Sequence, residues 1–314
     1  SSLDSSSNTF SGNVAERKGG ALYLVNTNEL SSRDDKFADN KAHDGGCISL
    51  VLPRTDHASI TSPVLDGCVA QHSGGAIYFE SSTDVTLKVG SATAQNNKAV
   101  NGAGGVVYWS KNSDRMNTDI NPAVIVTFVS ENKNSAVVGN VVASGPCAMI
   151  QWDGPAQLLT REQGQQFNPT MFLNAVVAGD NLVFQVALLD YYGQHLAIDL
   201  PNDKITASAE LDEWLPATWM FDDEVSPKVV GKREAEFSRG IATFKNIRVT
   251  AHPGGTYNMT IKSENLGMDN SLVLQIPLRY CVKGEFLSTL ATPFCQPCQK
   301  GKFSDISGPL VQKQ

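Results

Sequence analysis

The sequence predicts an all-β protein in three parts: a β-solenoid over residues 1–155, an antiparallel β-sandwich over 156–280 and a small cysteine-rich module over 281–314. Three observations lead to this prediction. A short pattern recurs five times in the first part, longer alternating strands fill the second, and three cysteines cluster in the third. The 314 residues exceed one usual domain, and a hydrophobic content of 41% is enough for packed cores.

The repeat of the first part is a glycine pair that opens a short apolar strand, preceded in most copies by an Asn and an Ala. The last copy has Gly139-Asn140 in place of the pair. The first residues of the pairs are 26 to 35 residues apart and stand at Gly19, Gly45, Gly74, Gly104 and Gly139. A period of this size indicates stacked structural units. The strands are only about five residues long and lack the spacing of an amphipathic helix, so we predict β repeats.

Aligning the copies on the glycine pair predicts which side chains stack. Alternate strand positions share a face, and we expect two of them to face the interior. The first comprises Leu22, Ile48, Ile77, Val107 and Val142, and the second Leu24, Leu50, Phe79, Trp109 and Ser144. The position between them is predicted to face outward and comprises Tyr23, Ser49, Tyr78, Tyr108 and Ala143. If exposed, Tyr23, Tyr78 and Tyr108 form an interaction stripe; the alternative is that a neighbouring loop covers them.

The polar and glycine positions predict the corners of each coil. The glycine pair supplies backbone angles that other residues avoid. The recurring Asn, at positions 13, 40, 97 and 134, can adopt a left-handed turn and bond its own backbone or the amide of the neighbouring coil. Cys68 stands where other copies place this Asn, so it could face Cys47 in a neighbouring turn and form a disulfide.

The combined signature F-x-x-N-x-A and G-G-A-[IL]-Y is similar to the repeats of polymorphic outer-membrane-type surface proteins and related pectin-lyase-like proteins. The resemblance covers roughly residues 1–150 and implies a right-handed parallel β-helix. The same solenoid serves lyases, adhesins and passive spacers, so it does not choose among these functions.

The second part carries predicted strands at 181–189, 205–211, 241–250, 257–263 and 271–278, with turns at Asp190-Tyr191-Tyr192-Gly193-Gln194 and Pro253-Gly254-Gly255. This pattern predicts an antiparallel sandwich. The strand at 181–189 is followed by the turn D-Y-Y-G-Q and later by the strand G-I-A-T-F-K-N-I-R-V. This order resembles immunoglobulin-like or filamin-like modules, so an Ig-like sandwich is expected. One glycosylation sequon, Asn258-Met259-Thr260, lies in a predicted strand.

The third part has the spacing C-x-x-G-x-F followed by C-x-x-C-x-x-G-x-F-S, which resembles the ephrin-receptor-type cysteine-rich module. The resemblance implies a disulfide between Cys281 and Cys295, which leaves Cys298 without a predicted partner. A zinc site is the alternative, but three cysteines and no nearby His supply too few ligands. Cys147 is also left over and is predicted to be either buried or an intermolecular link. Disulfides imply an extracellular, secreted location.

Composition and motifs argue against several classes of partner and ligand. A net charge of −7 and a pI near 5.3 argue against a nucleic-acid or anionic-membrane partner. No run of 18 apolar residues or signal peptide occurs, so we expect no membrane span here and a processed or partial piece of a longer chain. No cofactor or metal is predicted. The five histidines lack ligand spacing, and Asp222-Asp223-Glu224 lacks the alternating spacing of a Ca²⁺ loop.

Catalysis on a solenoid would need carboxylates that converge on one face, with a basic residue nearby. The candidates occupy dissimilar repeat positions, so we interpret them as solvated loop residues; they are Asp34, Asp35, Asp44, Asp56 and Asp66, with His43, His57 and Arg54. The sequence therefore predicts a non-enzymatic extracellular structural protein, a subunit of a cell-surface filament, an appendage such as a flagellar hair, or a coat. Its partners would be copies of itself or other extracellular structural subunits. The alternatives are an adhesin that binds glycans and a polysaccharide lyase or hydrolase.

Overall fold

A computed structural model describes residues 2–51, 58–81, 86–111, 124–152, 170–172, 176–198, 206–211, 227–263, 271–288, 294–300 and 302. Within these ranges every regular element is a β-strand. No helix in this part of the chain is long and apolar enough to cross a membrane. The all-β prediction is confirmed for the residues described.

The repeats fold into strands β1 to β16. In chain order they are β1 Ser2–Ser6, β2 Thr9–Ser11, β3 Leu22–Val25, β4 Glu29–Arg33, β5 Lys36–Ala38, β6 Lys41–Ala42, β7 Ile48–Val51, β8 Ala58–Thr61, β9 Val64–Asp66, β10 Val69–Ala70, β11 Ile77–Ser81, β12 Leu87–Gln95, β13 Lys98–Ala99, β14 Val107–Lys111, β15 Val124–Asn132 and β16 Val142–Ser144.

These strands stack into parallel sheets, one strand from each successive coil. The sheet β3-β7-β11-β14-β16 forms one wall, and the short sheet β6-β10-β13 lines the corner before it. The remaining strands form an eight-stranded sheet. The first half of the long strand β12 pairs with β8 in the row β1-β4-β8, and its second half pairs with β9 in the row β2-β5-β9. The other edge of β12 pairs with β15. The first part of the chain is thus a parallel β-solenoid.

The predicted register of the glycine-led strands is confirmed. Leu22, Ile48, Ile77, Val107 and Val142 pair in order across the wall, as do Leu24, Leu50, Phe79, Trp109 and Ser144. Both rows face the interior, where Ile77 and Phe79 are fully buried. Leu22 and Leu24 are only partly buried because they belong to the first coil described, which has a neighbour on one side.

The two glycines of each pair have different structural roles. The first has a left-handed backbone, with φ between 61° and 70° at Gly19, Gly45, Gly74, Gly104 and Gly139. The second permits the coils to approach: a Cβ added at Gly75 would lie 1.9 Å from the carbonyl oxygen of Gly105 in the next coil. In the last coil this second position is Asn140, which is exposed and has no further coil above it in the described chain. Its Oδ1 accepts the amide hydrogen of Ala136 at 3.1 Å.

The recurring Asn forms a ladder along the corner before β6, β10 and β13. Asn97 is fully buried; its Oδ1 accepts the amide of Cys68 in the preceding coil at 3.0 Å, and its Nδ2 donates to the carbonyl of Leu65 at 2.9 Å. Asn40 and Asn134 bond the preceding coil in the same way. The expected bond to a neighbouring coil is confirmed. The expected left-handed turn belongs instead to the residue before: Gly12, Asp39, Gly67, Asn96 and Lys133 have positive φ.

The second part of the chain forms strands that are mostly antiparallel. They are β17 Pro146–Gln151, β18 Thr170–Phe172, β19 Asn181–Asp190, β20 Thr206–Leu211, β21 Lys228–Gly231, β22 Glu234–Ser238, β23 Ile241–Thr250, β24 Thr256–Lys262 and β25 Leu272–Pro277. They follow the order β17-β19-β23-β22-β20-β24-β25-β18, with β21 on the other edge of β23. Only β18 pairs in parallel, with β25.

Strand β22 joins two halves of this sheet. Its first residues pair with β20 and its last residues pair with β23, so the chain turns a corner there. Side chains from both halves bury one another in a single cluster that includes Phe184, Phe244, Met259 and Leu274. All five predicted strands are present within one residue of their expected bounds, whereas β17, β18, β21 and β22 were not predicted. The immunoglobulin-like or filamin-like character of this part stays a prediction, and Asp222-Asp223-Glu224 lies outside the described residues.

The third part is a hairpin of β26 Glu285–Ser288 and β27 Phe294–Pro297. The structure joins Cys281 to Cys295 in a disulfide beside it. The two terminal guanidinium nitrogens of Arg279, Nη1 and Nη2, donate to the carboxylate of Glu285 at 2.8 and 2.9 Å, which ties the hairpin to the end of the second part. The ephrin-receptor-type assignment stays a prediction.

We expect Gly75→Ala to lower the free energy of unfolding by about 3 kcal/mol, because its methyl group would overlap the backbone of the next coil. Gly90→Ala is the matched control, since a Cβ at Gly90 meets nothing within 4 Å and its φ is not left-handed. Urea denaturation of both variants measures the difference. Equal stability of the two variants would contradict the role assigned to the second glycine.

Candidate functional site

The tyrosine row is not a continuous exposed stripe. Tyr23, Tyr78 and Tyr108 occupy one register position, as predicted, but only Tyr23 is exposed, at 52%. Tyr108 is buried and belongs to the same apolar cluster as Leu196 of the second part. Tyr108 lies on the outer side of the wall, as predicted, but it is covered and not exposed, because a different part of the chain packs on the end of this wall.

Tyr78 is partly buried between Tyr108 and a charged pair. Its ring stacks on Tyr108 with 5.6 Å between centroids, and the ammonium group of Lys18 lies 4.5 Å from the Tyr78 centroid. Glu80 accepts hydrogen bonds from Lys18 at 3.0 Å and from the Tyr78 hydroxyl at 3.2 Å. Burial, followed by the nearby Glu80 charge, raises the pKa of Tyr78. The cluster satisfies its own charges, so it fits a structural contact between coils.

The carboxylates considered for catalysis do not share a position on the solenoid. Asp34 is an exposed left-handed corner residue, and Asp35 is buried, accepting the amide of Asn8 and the hydroxyl of Ser32. Asp66 accepts side-chain hydrogen bonds from Gln95 and Asn96. The other predicted candidates, Arg54, Asp56 and His57, lie outside the described residues.

Asp44 is the centre of a cluster that the sequence analysis missed. His43 Nδ1 lies 3.1 Å and His72 Nδ1 3.3 Å from its carboxylate, and the two imidazoles stack with centroids 5.7 Å apart. Burial raises the pKa of Asp44, but hydrogen bonds with His72 and His43 outweigh this effect and hold the pKa below its usual value. Both histidines lie two residues before a glycine pair, so alignment of the repeats contains the signal for this contact.

The cluster lacks the arrangement of a catalytic triad. Ser73 Oγ lies 3.1 Å from His72 Nδ1, the same nitrogen that faces Asp44, so the imidazole does not bridge the hydroxyl and the carboxylate through opposite nitrogens. Ser73 is also fully buried. Among the described residues, no group of three or more His, Cys, Asp or Glu could hold a metal ion.

The predicted turn at Asp190–Gln194 covers the end of the solenoid wall. Asp190 is fully buried, and four N–H groups donate to its carboxylate: the backbone of Ser144, Tyr192 and Gln194 and the side chain of Gln194, at 2.8 to 3.1 Å. Burial raises the pKa of Asp190 to about 6, and these hydrogen bonds oppose the rise. The carboxylate therefore holds the last solenoid strand, β16, against the turn that follows β19.

Aromatic and apolar contacts complete this junction. Trp109 of β14 donates its indole N–H to the Tyr192 hydroxyl at 3.1 Å and packs on Tyr191 with ring centroids 5.5 Å apart. Ile150 and Leu189 belong to the buried cluster of the solenoid interior. Strand β17 follows β16 after Gly145 alone and pairs with β19, so the solenoid strands end at Ser144, before the predicted boundary at residue 155.

The described cysteines form two disulfides. Cys47 pairs with Cys68 across adjacent coils, with 5.5 Å between Cα atoms, and Cys281 pairs with Cys295. Cys147 is buried and Cys298 is partly exposed; both lie outside these disulfides. Asn258 is half-buried in β24, between strands β20 and β25, and Thr260 of its sequon is buried. Its glycosylation stays a prediction.

We expect Asp190→Ala to lower the free energy of unfolding by about 3 kcal/mol at pH 7, because three backbone N–H groups lose their acceptor. The pKa of Asp190 rises from 3.8 to about 6 on folding, so the folded state binds more protons between these values. The contribution of Asp190 is complete below pH 4 and falls as the pH rises through 6. The stability gap between wild type and variant should therefore be larger at pH 4 than at pH 7.

Urea denaturation at both pH values measures this gap. Asp180→Ala is the control, since Asp180 is exposed in the loop before β19 and its removal should change stability by less than about 0.5 kcal/mol. A gap that widens from pH 4 to pH 7 would show that the junction favours the ionised carboxylate and would contradict the assignment.

Comparison with known proteins gives a short family match. Residues 9–24 match the Chlamydia polymorphic membrane protein repeat. No curated protein matches the chain. One solved structure, of domains 4 and 5 of the S-layer protein SbsC, matches with 14% identity over 44% of this chain and a TM-score of 0.21. The match spans 55% of that structure's chain. The chain therefore carries a short repeat similar to that of the Chlamydia polymorphic membrane proteins, in a stretch that includes β2 and most of β3.

Proposed function

We propose that this chain is a non-enzymatic structural protein of a cell surface, a subunit of a filament, appendage or coat. The observation that carries the proposal is the continuity of its backbone ladders. The wall from β3 to β16 is hydrogen-bonded without a break, and the buried Asp190 turn and the β17–β19 pair attach the second part to its end. Such a unit resists bending because each coil is fixed to its neighbours by backbone and side-chain bonds.

Two further observations support a surface location. The short match to the polymorphic membrane protein repeat fits a surface structural protein. The Cys47–Cys68 and Cys281–Cys295 disulfides fit an oxidising compartment, since disulfides persist mainly in secreted and extracellular proteins. Together they favour the extracellular placement expected from the sequence.

Assembly would use the free edge of β15. This nine-residue strand pairs with β12, and no described strand pairs with its other edge. Ile125 is 48% and Val129 73% exposed along it. A long apolar edge strand with open backbone groups is a site for pairing with another chain, and lysines on such edges normally prevent that pairing. We assign this edge to contact with a second copy of the chain.

We expect the purified chain to form particles whose size grows with concentration, and Val129→Lys to raise the concentration needed for assembly at least about tenfold, which corresponds to about 1.4 kcal/mol. Val14→Lys is the matched control, because Val14 is 76% exposed and lies outside β15. Light scattering and electron microscopy report size and morphology. A wild-type monomer at every concentration would overturn self-association, and equal effects of both variants would overturn the assignment to β15.

Redox conditions separate covalent from non-covalent assembly. The same measurements under non-reducing and reducing conditions, with Cys298→Ser as a variant, test whether the partly exposed Cys298 links subunits. Assembly that survives in Cys298→Ser supports contacts through β15. Assembly that is lost in Cys298→Ser would show that an intermolecular disulfide carries it instead.

A further inference from the structure

A concentrated positive charge interrupts an otherwise acidic chain. Residues 228–248 contain six Lys or Arg and two Glu, a net charge of +4, although the whole chain has a net charge of −7. This segment comprises β21, β22 and β23. The negative net charge of the chain therefore coexists with a local basic segment that would attract anions.

Five of these basic residues form an exposed set that we call the cationic strip: Lys228, Lys232, Arg233, Lys245 and Arg248. On β23, Phe244 and Ile247 are buried while Lys245 and Arg248 are exposed, so the basic side chains occupy the outer face. The β21–β23 register places Val230 opposite Arg248, and Lys228 lies two residues before Val230. Lys232 and Arg233 follow in the connection to β22.

The strip is held in position but not neutralised. Arg248 Nε donates to Asn181 Oδ1 of β19 at 2.8 Å, which orients the guanidinium without an acid. Among the described residues, the ion pairs involve Lys18, His43, His72, Lys262 and Arg279 and none of the strip. Glu234 and Glu236 lie on the part of β22 that pairs with β20, beside Arg233, whereas the other basic residues of the strip lie on β21 and β23 or between β21 and β22.

The shape and surroundings of the strip point to a particular class of partner. It lies on a sheet face flanked by the exposed aliphatic side chains of Val183, at 67%, and Val230, at 44%. No described residue of β19, β21 or β23 presents an exposed aromatic ring on this face, so the stacking platform that single-stranded nucleic acids use is missing there. The disulfides favour an extracellular setting, where anionic polymers are chiefly polysaccharides.

We propose that the cationic strip is a docking surface for an anionic polysaccharide, a linear glycan bearing carboxylate or sulfate groups. Lys and Arg recognise such groups by charge-assisted hydrogen bonds, and Arg248 is oriented for this by Asn181. The strip would attach the protein to a charged matrix, whereas the β15 edge contacts other copies. The two activities use different strands, so failure of either one leaves the other testable.

Binding is measured by isothermal titration calorimetry of the 314-residue chain with polygalacturonate, dextran sulfate and neutral dextran. We expect both anionic polymers to bind and neutral dextran not to bind. Affinity should fall at least about tenfold between about 20 and 300 mM NaCl, because salt screens exposed charges. The triple variant Lys228→Gln/Lys232→Gln/Lys245→Gln should lose at least about tenfold in affinity at about 100 mM NaCl, where a Debye length of about 10 Å confines the effect of an exposed charge to its surroundings.

The matched control is Lys36→Gln/Lys88→Gln/Lys98→Gln, which removes three exposed lysines from the solenoid and changes the net charge by the same amount. Circular dichroism verifies that both triple variants stay folded. An equal loss of affinity in both triple variants would show that binding depends only on the net charge of the chain, and it would overturn the proposal. Absence of binding to either anionic polymer, or tighter strip-dependent binding to duplex DNA or to vesicles of anionic lipid, would overturn it as well.

Discussion

The close approach of successive coils at the second glycine is the constraint on which the solenoid depends. A Cβ added at Gly20, Gly46, Gly75 or Gly105 would lie 1.9 to 2.3 Å from a carbonyl oxygen of the next coil, so these positions have no room for a side chain. At this separation the wall strands pair in register and the Asn ladder reaches the neighbouring amides. A single side-chain carbon at this corner would overlap the backbone of the next coil.

The second part of the chain covers the last described coil of the solenoid. An open last coil leaves backbone groups and apolar interior exposed. Here the interior is covered by apolar side chains of β17 and β19, and the Ser144 backbone amide of β16 is satisfied by the Asp190 carboxylate. A buried carboxylate is costly, but four N–H donors at one site compensate for much of that cost. Tyr108, on the outer face of the same wall, is buried in the cluster that contains Leu196.

The sequence was sufficient for the register of the wall because the repeats stack identical positions: once the glycine pairs are aligned, the neighbours of Ile77 or Phe79 follow. It was sufficient for the Cys47–Cys68 pairing for the same reason. The His43–His72 contact follows from the same alignment, since both histidines stand two residues before a glycine pair, but their spacing along the chain does not reveal it. Which segment covers Tyr108 was out of reach, since Leu196, a member of its cluster, lies some 90 residues away along the chain in a part that no repeat describes. Strands β21 and β22 were missed because their exposed charges mask the alternation.

The exchange of glycine for Asn140 in the last repeat has a consequence for how such a protein can change over evolutionary time. The junction contacts involve the last two wall strands, whereas every earlier repeat presents the same glycine-lined surface on both sides. An internal repeat could be duplicated or deleted between Gly20 and Gly75 without altering either the Asp190 turn or the Asn140 corner. The terminal repeat thus acts as a fixed adaptor and the preceding ones as interchangeable spacers, so that the reach of the molecule can be adjusted independently of what is attached to its end.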